Sequence, residues 1–235
     1  MEKKPLRQFL PGSLILSVGS FGCNLSCPFC QNHEISMPDA AGAACRKITP
    51  KELAELAADC CGRGDRYGRE NIGVAYTYNE PLVGYEFVRD TAELVRERGM
   101  KNVLVTNGTA EISVLEELLP YIDAMNIDLK GFSEAYYRKL GGDLETVKRF
   151  IRRAAASCHV ELTTLIIPGE NDTPEQMSEH PANEYVEAFI NNADKSHVLC
   201  VHNIMITPKA LIQTDDGPEH AIRVMNKMNC LPYMS

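Results

Sequence analysis

Three cysteines fall within eight residues of this 235-residue chain, in the segment Phe21-Gly-Cys23-Asn-Leu-Ser-Cys27-Pro-Phe-Cys30-Gln-Asn32. Spacings of four and three let three thiolates wrap one compact centre. A [4Fe-4S] cube has four irons, so three cysteines hold three of them and leave the fourth open. Zinc is the competing ion, but a structural zinc site is closed by four protein ligands. His33 would complete a Cys₃His set, or is simply a loop residue, and cysteines without any metal are the third reading. The other six, Cys45, Cys60, Cys61, Cys158, Cys200 and Cys230, are scattered. Cys60, Cys158 and Cys200 fall on or beside apolar elements, where a thiol acts as a small buried hydrophobe. The adjacent Cys60 and Cys61 would bridge only with strain. A second Cys-x₂-Cys is absent, so no auxiliary cluster is expected.

These cysteines follow a strand candidate, Leu14–Val18, opened by the Pro11-Gly12 turn. Thr49-Pro50-Lys51-Glu52 then reads as a helix start: Thr49 caps, Pro50 takes the first helical position and Glu52 closes a capping box. Leu53, Leu56, Ala57 and Cys60 form its apolar stripe. From there the periods alternate. Strands are expected over 72–76, 102–106, 124–128 and 160–167. Helices are expected on the face Val83, Phe87, Val88, Thr91, Leu94 and Val95, then over 110–118, 133–140 and 143–157. Thr173-Pro174-Glu175-Gln176 repeats the helix-start pattern, and 197–201 and 203–207 are late strand candidates. Strand and helix alternating about every 30 residues means parallel β with crossover helices. Six such units are counted, short of the eight of a closed barrel. Asp128 would end a near-continuous apolar strand, which is costly for an acid unless it is used or paired.

Composition narrows the partners. There are 24 basic and 32 acidic residues, a net charge of −8, which argues against a phosphate-gripping nucleic-acid binder. At 44% apolar and 24% charged the chain can build an ordinary core. No apolar run is long enough for a membrane span. The start, MEKKPLRQFLPG, lacks the apolar stretch of a secretory signal. A cytoplasmic address and no membrane or nucleic-acid partner are therefore expected. With no Pro/Ser-rich linker, residues 1–235 are expected to form one domain.

Cys23-x₃-Cys27-x₂-Cys30 after a first strand, with Phe29 between the last two cysteines, resembles the signature of the radical S-adenosylmethionine superfamily. Within it the chain resembles the pyruvate formate-lyase activating enzyme-like group, above all the radical enzyme of the AmmeMemoRadiSam system. Residues 5–32, Tyr76-Thr-Tyr-Asn-Glu-Pro81, Val105-Thr-Asn-Gly108, Asn126-Ile-Asp-Leu-Lys130 and Leu165–Asp172 carry that likeness. It implies a partial (β/α)₆ barrel, in agreement with the six units counted. It also implies a [4Fe-4S] cluster on Cys23, Cys27 and Cys30 whose open iron is chelated by S-adenosylmethionine. Reductive cleavage to methionine and a 5′-deoxyadenosyl radical would then remove hydrogen from a substrate. The likeness gives Glu80 the methionyl amine as a partner, with Asn79 beside it in place of a glycine. It places Thr106, Asn107, Asp128 and Lys130 along the methionyl and ribose portions, and His202 as a late-strand cofactor contact. A reducing donor such as flavodoxin or ferredoxin is implied, and a protein is one candidate substrate. The substrate itself is unknown.

The chain departs from that pattern in three places. Val105 stands where the activating enzyme has an acid beside a monovalent cation, and Thr163 where it has an arginine. Residues 176–235 are divergent or truncated relative to it. A non-catalytic iron-sulfur electron carrier and a degenerate family member are the rival readings. The carrier would need no Glu80, Asp128 or cofactor-lining strand ends.

Overall fold

Thr49 does open a helix. In the computed structural model, its backbone N–H donates to Glu52 Oε2 at 2.7 Å, and Glu52 N donates back to Thr49 Oγ1 at 3.2 Å. The described residues are 6–37, 47–61, 69–167 and 169–171. They form strands β1 (Leu14–Val18), β2 (Asn71–Tyr76), β3 (Lys101–Thr106), β4 (Ala124–Asp128) and β5 (His159–Thr163). The helices are α1 (His33–Ser36), α2 (Pro50–Cys61), α3 (Tyr85–Glu97), α4 (Ile112–Leu118), α5 (Glu134–Lys139) and α6 (Leu144–Ala155). The chain divides into two compact units, residues 1–165 and 166–235. In the second, Ile167 N donates to Asn171 Oδ1 at 2.7 Å. The expected helix start at 173–176, both late strands and His202 lie outside the described residues.

All five strands are parallel, in the order β1-β2-β3-β4-β5. Each neighbour is reached through at least one crossover helix, so the first unit is a partial (β/α) barrel with five strands among the described residues. The expected strand over 160–167 is shorter than its sequence suggests. Its partner β4 ends at Asp128, paired with Thr163, and Leu129 N makes the last ladder-like bond, to Thr163 O at 2.9 Å. Beyond that point Thr164 Oγ1 donates to Leu129 O at 2.8 Å instead of a backbone ladder continuing along β4.

Two helix faces also differ in detail. On α2, Leu53, Ala54 and Ala57 are buried while Leu56 is exposed. The helix expected on the Val83–Val95 face begins only at Tyr85, because Pro81–Gly84 forms a single 3₁₀ turn. Pro81 has no N–H, and Leu82 N is taken by the Glu80 side chain.

The barrel interior is apolar at one end and polar at the other. Leu6 packs with Ala75, Val103 and Ala124, flanked by Phe9, Ile15 and Val105. The segment that carries Leu6 is pinned by Glu161 of β5, whose carboxylate accepts from Arg7 N, Gln8 N and Phe9 N at 2.7, 2.8 and 3.2 Å. Further along, Thr163 Oγ1 donates to Asn126 Oδ1 at 2.8 Å. Gly73 is required where β2 meets β3: its φ is 155°, and a β-carbon there would stand 1.8 Å from Lys101 O.

Between β3 and its helices, Asn102 is fully buried and acts as a polar staple. Its Oδ1 accepts from Tyr76 Oη, and its Nδ2 donates to Ala92 O and Tyr121 O at 2.8 and 3.1 Å. Asn102→Ala would take a partner from two buried residues, Tyr76 and Ala92, and from the half-buried Tyr121. We expect it to destabilise the fold by about 3 kcal/mol, since each unsatisfied buried group costs roughly 1–3 kcal/mol. A urea titration checks this: the midpoint should fall at unchanged slope, whereas an unchanged midpoint would show the staple to be dispensable.

Candidate functional site

Nine of the ten predicted site residues line a single cavity of about 340 Å³: Cys23, Cys27, Cys30, Asn79, Glu80, Thr106, Asn107, Asp128 and Lys130. The tenth, His202, is outside the described residues. The cavity stands at the carboxyl ends of the strands, where parallel α/β folds form sites because loops from several strands converge there.

Among the described residues Glu80 is the most enclosed acid, 2% exposed. Its Oε1 accepts from Thr106 Oγ1 at 2.7 Å and from Leu82 N at 3.1 Å, and its Oε2 accepts from Asn107 N at 2.8 Å. A carboxylate has about four lone-pair sites, so these three donors leave room for one more on Oε2. Burial pushes the carboxyl pKa up to about 7, against the pull of these hydrogen bonds.

The cysteine loop runs between β1 and α2. Cys23 Sγ accepts from Leu25 N at 3.4 Å, and Asn107 Nδ2 lies 3.8 Å from it. Cys30 Sγ lies 3.7 Å from Ser36 Oγ. All three cysteines are free thiols and half-buried. Burial raises the pKa values of Cys23 and Cys27, so the protein alone favours their neutral form. In the same cavity lining Lys130 Nζ pairs with Asp128 Oδ2 at 2.7 Å. Burial disfavours the Lys130 charge, but the Asp128 carboxylate outweighs it and the ammonium is held more firmly than usual.

Among the described residues, no group of three His, Cys, Asp or Glu side chains is placed to hold a single metal ion. Three thiols lining one cavity, with Lys130 among the same lining residues, do fit the donor set of a cluster that keeps one iron open. His33, the fourth ligand of the zinc reading, is exposed, begins α1 and does not line the cavity.

Asn79 has its amide engaged with the cysteine loop. Its Oδ1 accepts from Ser20 N at 2.8 Å, and its Nδ2 donates to Ser20 Oγ and Gly22 O at 2.9 and 3.0 Å. Of the other lining residues, Thr77, Tyr78 and Asn32 lie within the quoted motifs but have no role assigned from the sequence, and Ser36 lies outside them. Cys60, Cys61 and Cys158 are half-buried free thiols away from the cavity. Cys61 Sγ donates to Asn71 O at 3.0 Å.

The chain matches the Radical SAM superfamily over residues 17–180. It belongs to that superfamily. Membership implies, in general terms, iron-sulfur and S-adenosylmethionine binding. An uncharacterized protein of Methanocaldococcus jannaschii is 40% identical over 173 residues, which are 73% of this chain and 49% of that protein. The chain thus spans about half the length of this relative. A putative glycyl-radical enzyme activating enzyme of the same organism is 27% identical over 157 residues, 63% of this chain and 59% of that protein. The pyruvate formate-lyase 1-activating enzyme of Escherichia coli K12 is 25% identical over 187 residues, 78% of this chain and 72% of that protein. The chain is therefore related to activating enzyme-like radical SAM proteins. Streptococcus suis SuiB, solved with its precursor peptide SuiA, shares the fold at a TM-score of 0.50 and 16% identity, covering 70% of this chain and 35% of SuiB. No helix among the described residues is long and apolar enough to cross a membrane.

The burial of Glu80 has a pH signature. A carboxyl whose folded pKa is raised from 4.5 to about 7 adds stability below the lower value and loses it as pH rises through the upper one. Between about pH 5 and about pH 8, wild-type stability should fall relative to Glu80→Gln, by up to about 3 kcal/mol at 1.36 kcal/mol per pKa unit. Urea midpoints across that range are the measurement; parallel curves for the two proteins would contradict it.

Proposed function

We propose that this chain binds a [4Fe-4S] cluster through Cys23, Cys27 and Cys30 and uses it to cleave S-adenosylmethionine reductively. The bound pair would supply a 5′-deoxyadenosyl radical, with methionine as co-product, to take hydrogen from a substrate. The single observation that carries this reading is that the three thiols share one cavity with Glu80, Thr106, Asn107, Asp128 and Lys130.

Each side chain has work that its geometry supports. Glu80, with one acceptor position left on Oε2, would take a hydrogen bond from the methionyl amine. Thr106 and Asn107 hold that carboxylate in place by donating to both of its oxygens. Asp128 and Lys130, paired at 2.7 Å, offer an acceptor and a cation along the cofactor's ribose and carboxylate. Leu165 and Phe29 give the cavity apolar wall, which keeps water from the reacting centre. His202 is kept in the proposal as a further cofactor contact on its sequence likeness alone.

The motifs Tyr76–Pro81 and Asn126–Lys130 favour the AmmeMemoRadiSam branch of the activating enzyme-like group. A flavodoxin or ferredoxin would deliver the electron, in the cytoplasm. The names of two relatives, a putative glycyl-radical enzyme activating enzyme and a pyruvate formate-lyase activating enzyme, favour a protein as the hydrogen donor.

After anaerobic reconstitution we expect about four irons and four sulfides per chain, the content of one cube. Each of Cys23→Ala, Cys27→Ala and Cys30→Ala should lower that content. Reduced protein should form 5′-deoxyadenosine and methionine slowly without substrate, read by chromatography. A full complement in all three variants would sink the ligand assignment, and a proven cluster with no product above the triple variant would favour the electron carrier.

Glu80→Gln separates cofactor from cluster. Iron content should stay at the wild-type level, while S-adenosylmethionine affinity should drop about 3–30-fold, because a hydrogen bond to a charged group contributes roughly 1.5–3 kcal/mol and the amide retains part of it. Titration followed by the cluster's optical or paramagnetic spectrum reports both. Equal affinities would remove Glu80 from the cofactor's surroundings.

A further inference from the structure

Asn32 occupies the N-cap position of α1, yet its side chain makes no capping bond there. Its Nδ2 instead donates to Tyr78 O at 2.6 Å, 46 positions away. Tyr78 is one of two non-glycine residues with positive φ among the described residues, at 72°. A β-carbon makes that left-handed conformation unfavourable, and an aromatic residue keeps it only where its surroundings hold it there.

The strained residue sits at a junction. Just before it, Thr77 N donates to Val18 O at 2.9 Å; just after, Asn79 N turns back to Thr77 O at 3.0 Å and Glu80 N reaches Gly22 O at 3.3 Å. The turn at Tyr78 is what sends the Asn79 amide toward Ser20 and the Glu80 carboxylate toward Thr106 and Asn107. Its ring leans on Gly19, where an added β-carbon would stand 3.0 Å from Tyr78 Cδ2.

We infer that Asn32 is a positioning residue: it clamps the strained Tyr78 backbone and so holds the Glu80 loop in register with the cysteine loop. The amide lies two positions after Cys30, so one short segment carries both the last thiol and the clamp. The consequence for cofactor binding rests on the proposed role of Glu80. The clamp itself does not.

Glycine adopts positive φ without penalty, so replacing Tyr78 by glycine removes the strain that the clamp opposes. Hydrogen-exchange mass spectrometry of the full-length chain, on peptides covering 76–84, tests this in wild type, Asn32→Ala, Tyr78→Gly and the double variant. Asn32→Ala should speed exchange about fivefold, as expected for one lost hydrogen bond in a local opening. In the Tyr78→Gly background the same substitution should change exchange by less than about twofold; comparing within that background cancels glycine's own flexibility. Equal effects in both backgrounds, or none in either, would overturn the clamp.

A second arm titrates S-adenosylmethionine into the cluster-loaded proteins. Asn32→Ala should raise Kd about 3–10-fold at unchanged iron content, and by less than about twofold when Tyr78 is already glycine. An unchanged Kd in the single variant would overturn the positioning role. If wild type takes up no S-adenosylmethionine, the proposed function fails, while the exchange arm still decides the clamp.

Discussion

A carboxylate that has almost no contact with water must be met by donors, and Glu80 is met by three from two different loops. Leu82 N belongs to the turn that follows β2, whereas Thr106 Oγ1 and Asn107 N come from the end of β3. One charge-bearing group therefore fixes how far apart these two strand ends stand. Asn107 extends the chain of contacts, since its Nδ2 reaches Asn24 Oδ1 at 2.9 Å inside the cysteine loop. The cavity wall is in effect a hydrogen-bonded network centred on one acid, and such networks are firm only when every member is satisfied.

The cysteine loop has a second anchor on its other side. Leu25 is buried, Ser26 N donates to Leu140 O at 2.8 Å, and Gly142 is small enough to admit the Leu25 side chain. The same α5 region also supports the end of β4, because Lys130 N donates to Tyr137 Oη at 3.0 Å. Thiols and the Asp128–Lys130 pair thus lean on one short helix. That shared support is how a loop with little regular structure can present three side chains in a fixed arrangement.

Local chemistry made much of this readable. The Thr49–Glu52 box, the Asp128 that ends β4 and the three-cysteine spacing all act over a few residues, and the sequence displays them directly. Strand length is different, because it belongs to two chains at once: the β-branched run at 160–167 looks extended throughout, but β4 supplies partners only as far as Asp128. Glu80 was visible through family likeness alone, since its burial depends on residues 26 and 27 positions later. The left-handed Tyr78 and the redirected Asn32 amide left no trace in composition or period. Both arise from a contact between loops that only the assembled barrel brings together.

The clasp between Glu161 and the segment before β1 bears on where this domain physically begins. The family match starts at residue 17, inside β1. Yet Leu6 fills the interior beside Ala75, Val103 and Ala124, and the backbone of residues 7–9 satisfies an acid on β5. In the described sheet β1 and β5 are the two edges, and this short stretch runs from the Glu161 carboxylate on β5 into β1. A boundary drawn at residue 17 would cut away the floor of the barrel, leaving an acid without its donors and three small apolar side chains facing water. The packing of residues 6–9 therefore ties the segment before the family match to the same core.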